Sequence, residues 1–168
     1  MRNVMRYLSS FIAPFLLCLA VPYLIVQQEQ GSPVPAIASS GGQVLIGLLI
    51  TTAAFVLLVA NICMFILIGN GTIMPWDPTR RLITISLYAY VRNPMILSVI
   101  FVQVGEAVLF ASAGISILAG LNFLINTVYF IFSEEPGLEN RFGSEYLEYR
   151  KNVPRWIPRL RPWRPNGH

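Results

Sequence analysis

The sequence predicts an all-α integral membrane protein of one domain, with about four transmembrane helices and a C-terminal cytoplasmic amphipathic helix. Of its 168 residues, 55% are hydrophobic and only 12% are charged, a composition that does not cover the surface of a soluble domain. Uncharged runs of about 20 residues, enough helix to cross a ~30 Å bilayer core, recur along the chain. The basic residues are confined to the segments on one side of these runs.

Four uncharged runs define the predicted spans, at about 8–26, 43–68, 94–111 and 114–133. The last two are separated only by small residues around Ser112 and predict a tight antiparallel hairpin. The first run begins like a signal peptide, but no small-x-small cleavage site follows it, so we expect a retained anchor.

All twelve Lys and Arg residues lie before the first span, in the segment 69–93 or in the tail 134–168. Because basic residues are retained on the cytoplasmic side, both termini are predicted to be cytoplasmic. The net charge of +4 then indicates attraction to anionic lipid headgroups rather than to nucleic acid. The two cysteines, Cys18 and Cys63, lack metal-ligand spacing, so we expect no metal.

The tail carries one further periodic pattern. Leu138, Phe142, Tyr146 and Tyr149 recur at helical spacing, which predicts one amphipathic helix of about four turns. Two interpretations stay open for it: a helix that lies on the lipid headgroups, or a cover for a binding site.

Glu106 is the only acidic residue within a predicted span. Such a charge is costly in a membrane and needs a reason. It is either part of a substrate or proton site or, as we favour, a protonated or outer-interface carboxyl hydrogen-bonded to Asn122.

The candidate site lies where the predicted hairpin brings two charged segments together. Arg92 and Asn93 precede the third span, and Glu134 and Glu135 end the fourth. A cationic donor opposite two carboxylates and beneath tyrosines can bind a zwitterionic ligand.

Several motifs, in this order, resemble the isoprenylcysteine carboxyl methyltransferase and phospholipid methyltransferase superfamily, over about Gly69 to Arg159. They are Pro-Trp-Asp-Pro at 75–78, Tyr-x-Tyr-Val-Arg-Asn-Pro-Met at 88–95, Glu-Glu-Pro-x-Leu at 134–138, Arg-Phe-Gly-x-x-Tyr-x-x-Tyr at 141–149 and Val-Pro-Arg-Trp-Ile-Pro at 153–158. The upstream part is similar to bacterial members, which implies a bacterial inner membrane.

The resemblance implies S-adenosylmethionine-dependent methylation of a lipophilic or membrane-partitioned acceptor. Arg92 suits the carboxylate of this cofactor, as a bidentate fork, and Glu134 or Glu135 suits its ammonium or ribose hydroxyls. Tyr90, Tyr146 and Tyr149 offer faces for the adenine or the sulfonium. The expected cofactor-binding set is completed by Asn93, Pro94, Met95, Leu97, Leu138 and Phe142.

Two residues are candidates for catalysis. Glu135 is the candidate general base if the acceptor is an amine or a thiol. Arg155 either orients an anionic acceptor headgroup or extends to a lipid phosphate. The chain departs from its relatives at Asn93, where better-known members carry histidine, and at 96–98, where many carry a tyrosine and a glycine.

Two other functions remain open at this point. A membrane scaffold would use the tail only to grip headgroups, with the acidic pair capping Arg141. A small transporter would be centred on Glu106, although four short spans leave little room for alternating access. The sequence does not identify the methyl acceptor or the oligomeric state.

Overall fold

The structure is a computed structural model that describes residues 15–32, 36–68 and 82–164. Within these ranges the regular structure is helical, which confirms the predicted all-α class. The start of the predicted first span, most of the loop 69–93 and the last four residues of the tail lie outside the described residues.

The described helices follow the predicted order. A π-helix, Leu16–Ala20, continues directly into α1, and a 3₁₀ turn, Ser86–Ala89, precedes α3. A second π-helix, Phe130–Glu134, joins α4 to α5. The α-helices are α1 (Val21–Gln30), α2 (Gly41–Ile68), α3 (Pro94–Phe110), α4 (Ala113–Tyr129), α5 (Glu135–Phe142) and α6 (Ser144–Asn152).

Two helical stretches are long and apolar enough to cross a membrane, Gly41–Met64 and Ala113–Phe142. Helix α3 is apolar but has 17 residues, a length of about 26 Å at 1.5 Å per residue. The number of four spans therefore stays a prediction.

Helices α2 and α3 pack at very short distance, because small residues face each other along their contact. A Cβ atom added to Gly47 would lie 2.7 Å from the backbone nitrogen of Leu109, and one added to Gly105 would lie 2.6 Å from that of Thr51. Small residues of this kind let the backbones of membrane helices approach closely. The contact is antiparallel, and it fixes the position of α3 relative to α2.

A buried apolar cluster joins the first π-helix to this pair of helices. Met95 and Leu17 pack against the cluster from its edge. The cluster consists of Cys18, Ala54, Leu58, Ile62, Val99 and Val102.

The turn between α3 and α4 is the predicted tight hairpin, and it is fastened to α1. Ala111 has a left-handed backbone, with φ of 51°, and the Ser112 hydroxyl accepts a hydrogen bond from the Ile115 backbone N–H (3.1 Å). The Glu29 carboxylate accepts from the Ser112 hydroxyl (2.5 Å) and from the Gly114 N–H (2.7 Å). One acidic side chain thus closes the start of α4 and holds α1 against it.

The predicted hydrogen bond between Glu106 and Asn122 is wrong. Asn122 instead donates to Gln103 Oε1 (3.2 Å), about one helical turn away from Glu106. Gln103 in turn donates to the backbone carbonyl of Leu17 (3.0 Å), inside the first π-helix. This chain of amides links three helical segments where the sequence predicted a contact with the acid.

The predicted single amphipathic helix of the tail is also wrong, because two helices replace it. They are divided at Gly143, whose φ of 55° and ψ of −127° belong to a region that residues with a Cβ rarely adopt. The apolar pattern nevertheless continues across the break, and its side chains face the protein interior.

After α6 the chain is irregular, with several bends, and its backbone bonds to the segment that leads into α3. The backbone N–H of Arg92 donates to the Pro154 carbonyl, that of Arg159 to the Tyr90 carbonyl, and that of Trp163 to the Ala89 carbonyl, each at 2.9 Å. The tail therefore completes the region from which α3 begins.

Candidate functional site

The start of α3 is fixed by local sequence and by the tail. Asn93 occupies the N-cap position and Pro94 the first turn of the helix, where the missing proline N–H costs nothing. With its backbone N–H bound to the tail, Arg92 extends from a rigid position towards the end of α4.

Glu135, the first residue of α5, lies at the centre of a cluster of charges. Its carboxylate oxygens lie 3.0 Å from Arg92 Nη1, 2.6 Å from Arg155 Nε and 3.4 Å from Arg150 Nε. The Glu135 and Arg92 side chains are only 5% and 11% exposed, and that of Arg150 is 45% exposed. We call these four residues the arginine cluster.

The arginine cluster carries more positive than negative charge. Three guanidinium groups surround one carboxylate, so its partly buried interior attracts a further anion. The Nε atom of Arg92 is buried and has no hydrogen-bond partner among the described residues. Because a buried donor without a partner is costly, this atom indicates a ligand position.

Glu135 is held in its ionised form. Burial acts to raise its pKa, but the hydrogen bond from Arg155 and the charges of the surrounding guanidinium groups outweigh burial and hold the pKa below its ordinary value. A carboxylate stabilised in this way is a weak proton acceptor. The geometry therefore gives Glu135 the task of ordering arginines and does not favour the predicted role of general base.

Glu134 has different surroundings from its neighbour. It accepts a hydrogen bond from the Tyr129 hydroxyl (3.3 Å), and none of the ion pairs within the described residues involves it. Of the two predicted acids, Glu134 is the one that keeps lone pairs for a ligand.

Two of the three predicted tyrosine faces, those of Tyr146 and Tyr149, are covered by protein. Tyr146 and Tyr149 are 1% and 3% exposed, and they form a core with Val153. The Tyr146 oxygen accepts from Arg92 Nη1 (3.4 Å), and the Tyr149 hydroxyl donates to the Tyr88 carbonyl (2.8 Å). The side chains packed around this core are Leu82, Leu138, Phe142 and Trp163.

These two tyrosines therefore position the arginine cluster instead of offering stacking surfaces. Burial, as the main cause, raises the pKa of both hydroxyls, which keeps them neutral. The apolar side of the tail helices packs on this core, so it does not lie on lipid headgroups.

An apolar cavity of about 630 Å³ opens beside the segment that carries Arg92. Tyr90, Pro94 and Leu97, predicted to bind cofactor, line it. The rest of its wall is Ile50, Ala53, Ala54, Leu57, Leu87, Val91, Ser98, Phe101 and Pro158.

The individual residues of α2 that line this cavity were not identified from the sequence. Leucines and alanines that face a cavity have the same pattern as those that face lipid, so no sequence signal distinguishes them. Val91 and Pro94, close to Arg92 in the chain, are part of the cavity wall, which places an apolar volume near the arginine cluster.

The remaining predicted site residues lie around these two features. Met95 packs on the core of α2 and α3 and not in the arginine cluster. The Trp156 ring contacts Phe123 and Phe130, with centroids 5.1 and 5.8 Å apart, which holds Arg155 against the end of α4. Arg141 lies over the Phe142 ring at 5.3 Å, and no ion pair with the acidic pair is formed in the described part of the chain.

Metal ligands do not gather in the described ranges. No group of three or more His, Cys, Asp or Glu side chains lies close enough there to hold an ion. The chemistry of the site is that of charged and aromatic side chains.

The fold and the site together define the class of protein: a helical membrane protein with an arginine cluster near an apolar cavity. Residues 42–145, more than half of the chain, match the family described as phospholipid methyltransferase. The chain belongs to this family, which confirms the resemblance in the sequence.

A second comparison gives one individual relative. Over 85 residues the chain is 32% identical to the human protein-S-isoprenylcysteine O-methyltransferase. The matched segment covers 48% of this chain and 28% of the relative's length. No solved structure matches.

Proposed function

We propose that this chain transfers a methyl group from S-adenosylmethionine to a lipophilic acceptor within the membrane. The observation that carries the proposal is the arginine cluster, with its unpaired Arg92 Nε, next to an apolar cavity. Membership of the phospholipid methyltransferase family supports the reaction class.

The residues of the site fit the chemistry of the methyl donor. The net positive arginine cluster suits a carboxylate, which Arg92 is able to bind through the nitrogen that lacks a partner. Glu134, outside the cluster, suits an ammonium or ribose hydroxyls. When bound, the donor supplies a methyl group on a sulfonium centre; the protein positions the acceptor in line with it and excludes water.

The cavity suits the apolar part of the acceptor. Its wall from α2 and α3 is almost entirely hydrocarbon, so it favours a chain or isoprenoid over a polar molecule. Tyr90 and Pro94, which lie two residues before and two residues after Arg92, would set the distance between the acceptor and the donor site.

The ion pairs of Glu135 affect which chemical group of the acceptor the site is suited to methylate. A paired carboxylate is a poor base, so the site favours an acceptor that needs no proton removed, such as a carboxylate. The relative's name describes O-methylation, which agrees with this preference. Arg155, fixed by Glu135, would orient an anionic acceptor headgroup.

The proposal also includes topology. Four spans with both termini cytoplasmic would place the arginine cluster at the cytoplasmic face of a bacterial inner membrane. The distribution of Lys and Arg supports this orientation.

Donor binding is tested by calorimetric titration of the purified protein in detergent with S-adenosylhomocysteine, the demethylated product. We expect saturable binding that Arg92→Ala weakens at least about tenfold, the loss expected for a charge-assisted hydrogen bond. Arg161→Ala, at an exposed tail position, is the matched control. Absence of binding, or equal binding by both variants, would reject the proposed function.

The acceptor cavity is tested separately with Ala53→Phe, which fills it from α2. We expect normal binding of S-adenosylhomocysteine but little transfer of labelled methyl to a membrane lipid extract. Val56→Phe, which enlarges an exposed side chain of the same helix outside the cavity wall, is expected to retain transfer. If Ala53→Phe transfers methyl normally, the acceptor does not use this cavity.

A further inference from the structure

A second apolar cavity, of about 420 Å³, lies far from the arginine cluster, between α1 and the last turns of α3. Its volume is within the range of about 300 to 1,000 Å³ of pockets that hold small molecules. From Pro94 to Glu106 the distance along α3 is about 18 Å at 1.5 Å per residue. The described wall consists of Phe15, Leu19, Ala20, Pro22, Tyr23, Val26, Glu106 and Phe110.

Glu106 is the acidic residue of this described wall, and one of its two carboxyl oxygens has no hydrogen-bond partner in the part of the chain that the structure describes. The side chain is 7% exposed, and its Oε2 atom is buried with no hydrogen-bond partner among the described residues. A buried oxygen without a donor costs free energy. Since Asn122 bonds to Gln103 instead, that amide does not serve the acid.

The opposite wall of the cavity has an irregular backbone. Leu19 and Ala20 belong to the π-helix Leu16–Ala20, and π-helical turns within α-helices are frequent at functional sites. The hydrogen bond from Gln103 to the Leu17 carbonyl (3.0 Å) ties this irregular turn to α3. The cavity is therefore bounded on both sides by elements held in fixed positions.

We propose that this cavity is a second binding site, for an amphiphile with an apolar chain and a head that donates hydrogen bonds to Glu106. The apolar wall takes the chain, and the unpaired Oε2 takes the donor. An alkylammonium head fits best, because a cation beside Glu106 favours its ionised form and donates to it in a charge-assisted hydrogen bond, about twice as strong as a neutral one. The site is independent of the methyl-transfer reaction.

The test measures binding of radiolabelled decylamine to the protein in lipid nanodiscs, with empty nanodiscs as background. Unlabelled probes then compete on the unmodified protein. We expect decylamine to compete best and decanol, a neutral donor, to compete less well. We expect decyltrimethylammonium, which keeps the charge but has no donor, to be at least about tenfold weaker than decylamine. Equal competition by decyltrimethylammonium and decylamine would overturn the proposal, and this comparison needs no variant.

Two variants locate the site. Glu106→Gln should weaken the binding of decylamine about tenfold or more. It should weaken the binding of decanol less, because glutamine still accepts a hydrogen bond. Glu145→Gln, at an exposed position of α6, is the matched control and should leave binding unchanged. Ala20→Phe, which fills the cavity, should remove binding of both probes. Unchanged decylamine binding in Glu106→Gln or in Ala20→Phe would show that the probe binds elsewhere and would refute the proposal.

Discussion

Glu134 and Glu135 are neighbours in the chain, but they meet different surroundings. Glu135 is enclosed by the guanidinium groups of Arg92, Arg150 and Arg155, whereas Glu134 contacts the Tyr129 hydroxyl. Successive residues of a helix point about 100° apart, so only one of two adjacent acids faces the start of α3. The chemistry of the site depends on which one it is.

The sequence predicted an acid opposite Arg92, but not which acid. The order of charged segments and the hairpin together require the two ends to meet. Glu135, and not Glu134, faces Arg92 because the π-helix Phe130–Glu134 rotates the direction in which all later side chains point. The burial of Tyr146 and Tyr149 was missed because an aromatic stripe has the same spacing in a core as over a ligand.

Glu135→Gln leaves Arg92 and Arg155 without their carboxylate, whereas Arg150 keeps its ion pair with Glu139 (3.4 Å). Removal of one partner of a buried ion pair lowers the free energy of unfolding by about 3–5 kcal/mol. Because Arg150 is half exposed, we expect a loss at the lower end of this range, about 3 kcal/mol. The measurement is the midpoint of thermal unfolding in detergent. Glu134→Gln is the control and should change the midpoint little; an equal effect of both would contradict the structure of the cluster.

The lowered pKa of Glu135 predicts an acid-sensitive tail. A carboxyl whose pKa is lower when folded than when unfolded, about 4.3, contributes stability above that value and loses it as the pH falls towards the folded pKa. The unfolding midpoint should therefore fall on acidification below about pH 4.3. Glu135→Gln should reduce this dependence, and Glu145→Gln should not. If the unfolding midpoint of Glu135→Gln falls on acidification as much as that of the wild-type protein, other carboxyl groups cause the fall.

At the scale of the helices, the close contact of α2 with α3 depends on side-chain size. Where the chain has Gly47 and Gly105, a Cβ would meet the backbone of the opposite helix. Their spacing within apolar runs is visible in the sequence, but which small residues face a partner and which face lipid is not. The predicted helix positions are therefore more accurate than the predicted contacts.

Gly105→Ala should separate these two helices. The added Cβ would lie 2.6 Å from the Thr51 backbone nitrogen, so backbone must shift, and overpacking of this kind costs about 1–3 kcal/mol. Thermal unfolding in detergent measures it. Gly120→Ala is the matched control, because nothing lies within 4 Å of its added Cβ, and alanine there should be neutral or stabilise by up to about 1 kcal/mol.

The break of the tail helix at Gly143 shows a further limit of periodicity. The spacing from Leu138 to Tyr149 satisfies one continuous helix, and only the glycine hints at an interruption. The two helices keep one buried side because their apolar residues all face the same core. The sequence therefore predicts which side chains are buried better than it predicts the path of the backbone between them.

At the scale of the whole molecule, composition and charge predicted the class of protein, and motif order predicted the family. Pairing of the tail with the segment before α3 was not predicted. It rests on backbone hydrogen bonds between Arg92 and Pro154, Arg159 and Tyr90, and Trp163 and Ala89. Such bonds have no side-chain signature, and partners so far apart in the chain leave no local pattern.

Trp163→Ala should loosen both paired segments together. The Trp163 ring packs on Tyr149, with centroids 5.6 Å apart. Loss of this ring should speed amide hydrogen exchange about tenfold, which corresponds to a decrease of ~1.4 kcal/mol in the free energy of opening. We expect this in peptides covering 82–93 and 153–163, measured by mass spectrometry. Arg164→Ala, at the exposed neighbouring position, should leave both unchanged. Faster exchange in the tail alone would mean that the segments open separately.

The tail also dictates when the site is able to form during synthesis. The residues around Arg92 leave the ribosome long before Arg155 and Trp163, with the four helices α3 to α6 made in between. The helices enter the bilayer first, while Arg92 still lacks its carboxylate and two fellow cations. The charged centre therefore assembles only after Arg150 and Arg155 have been made and packed against Glu135.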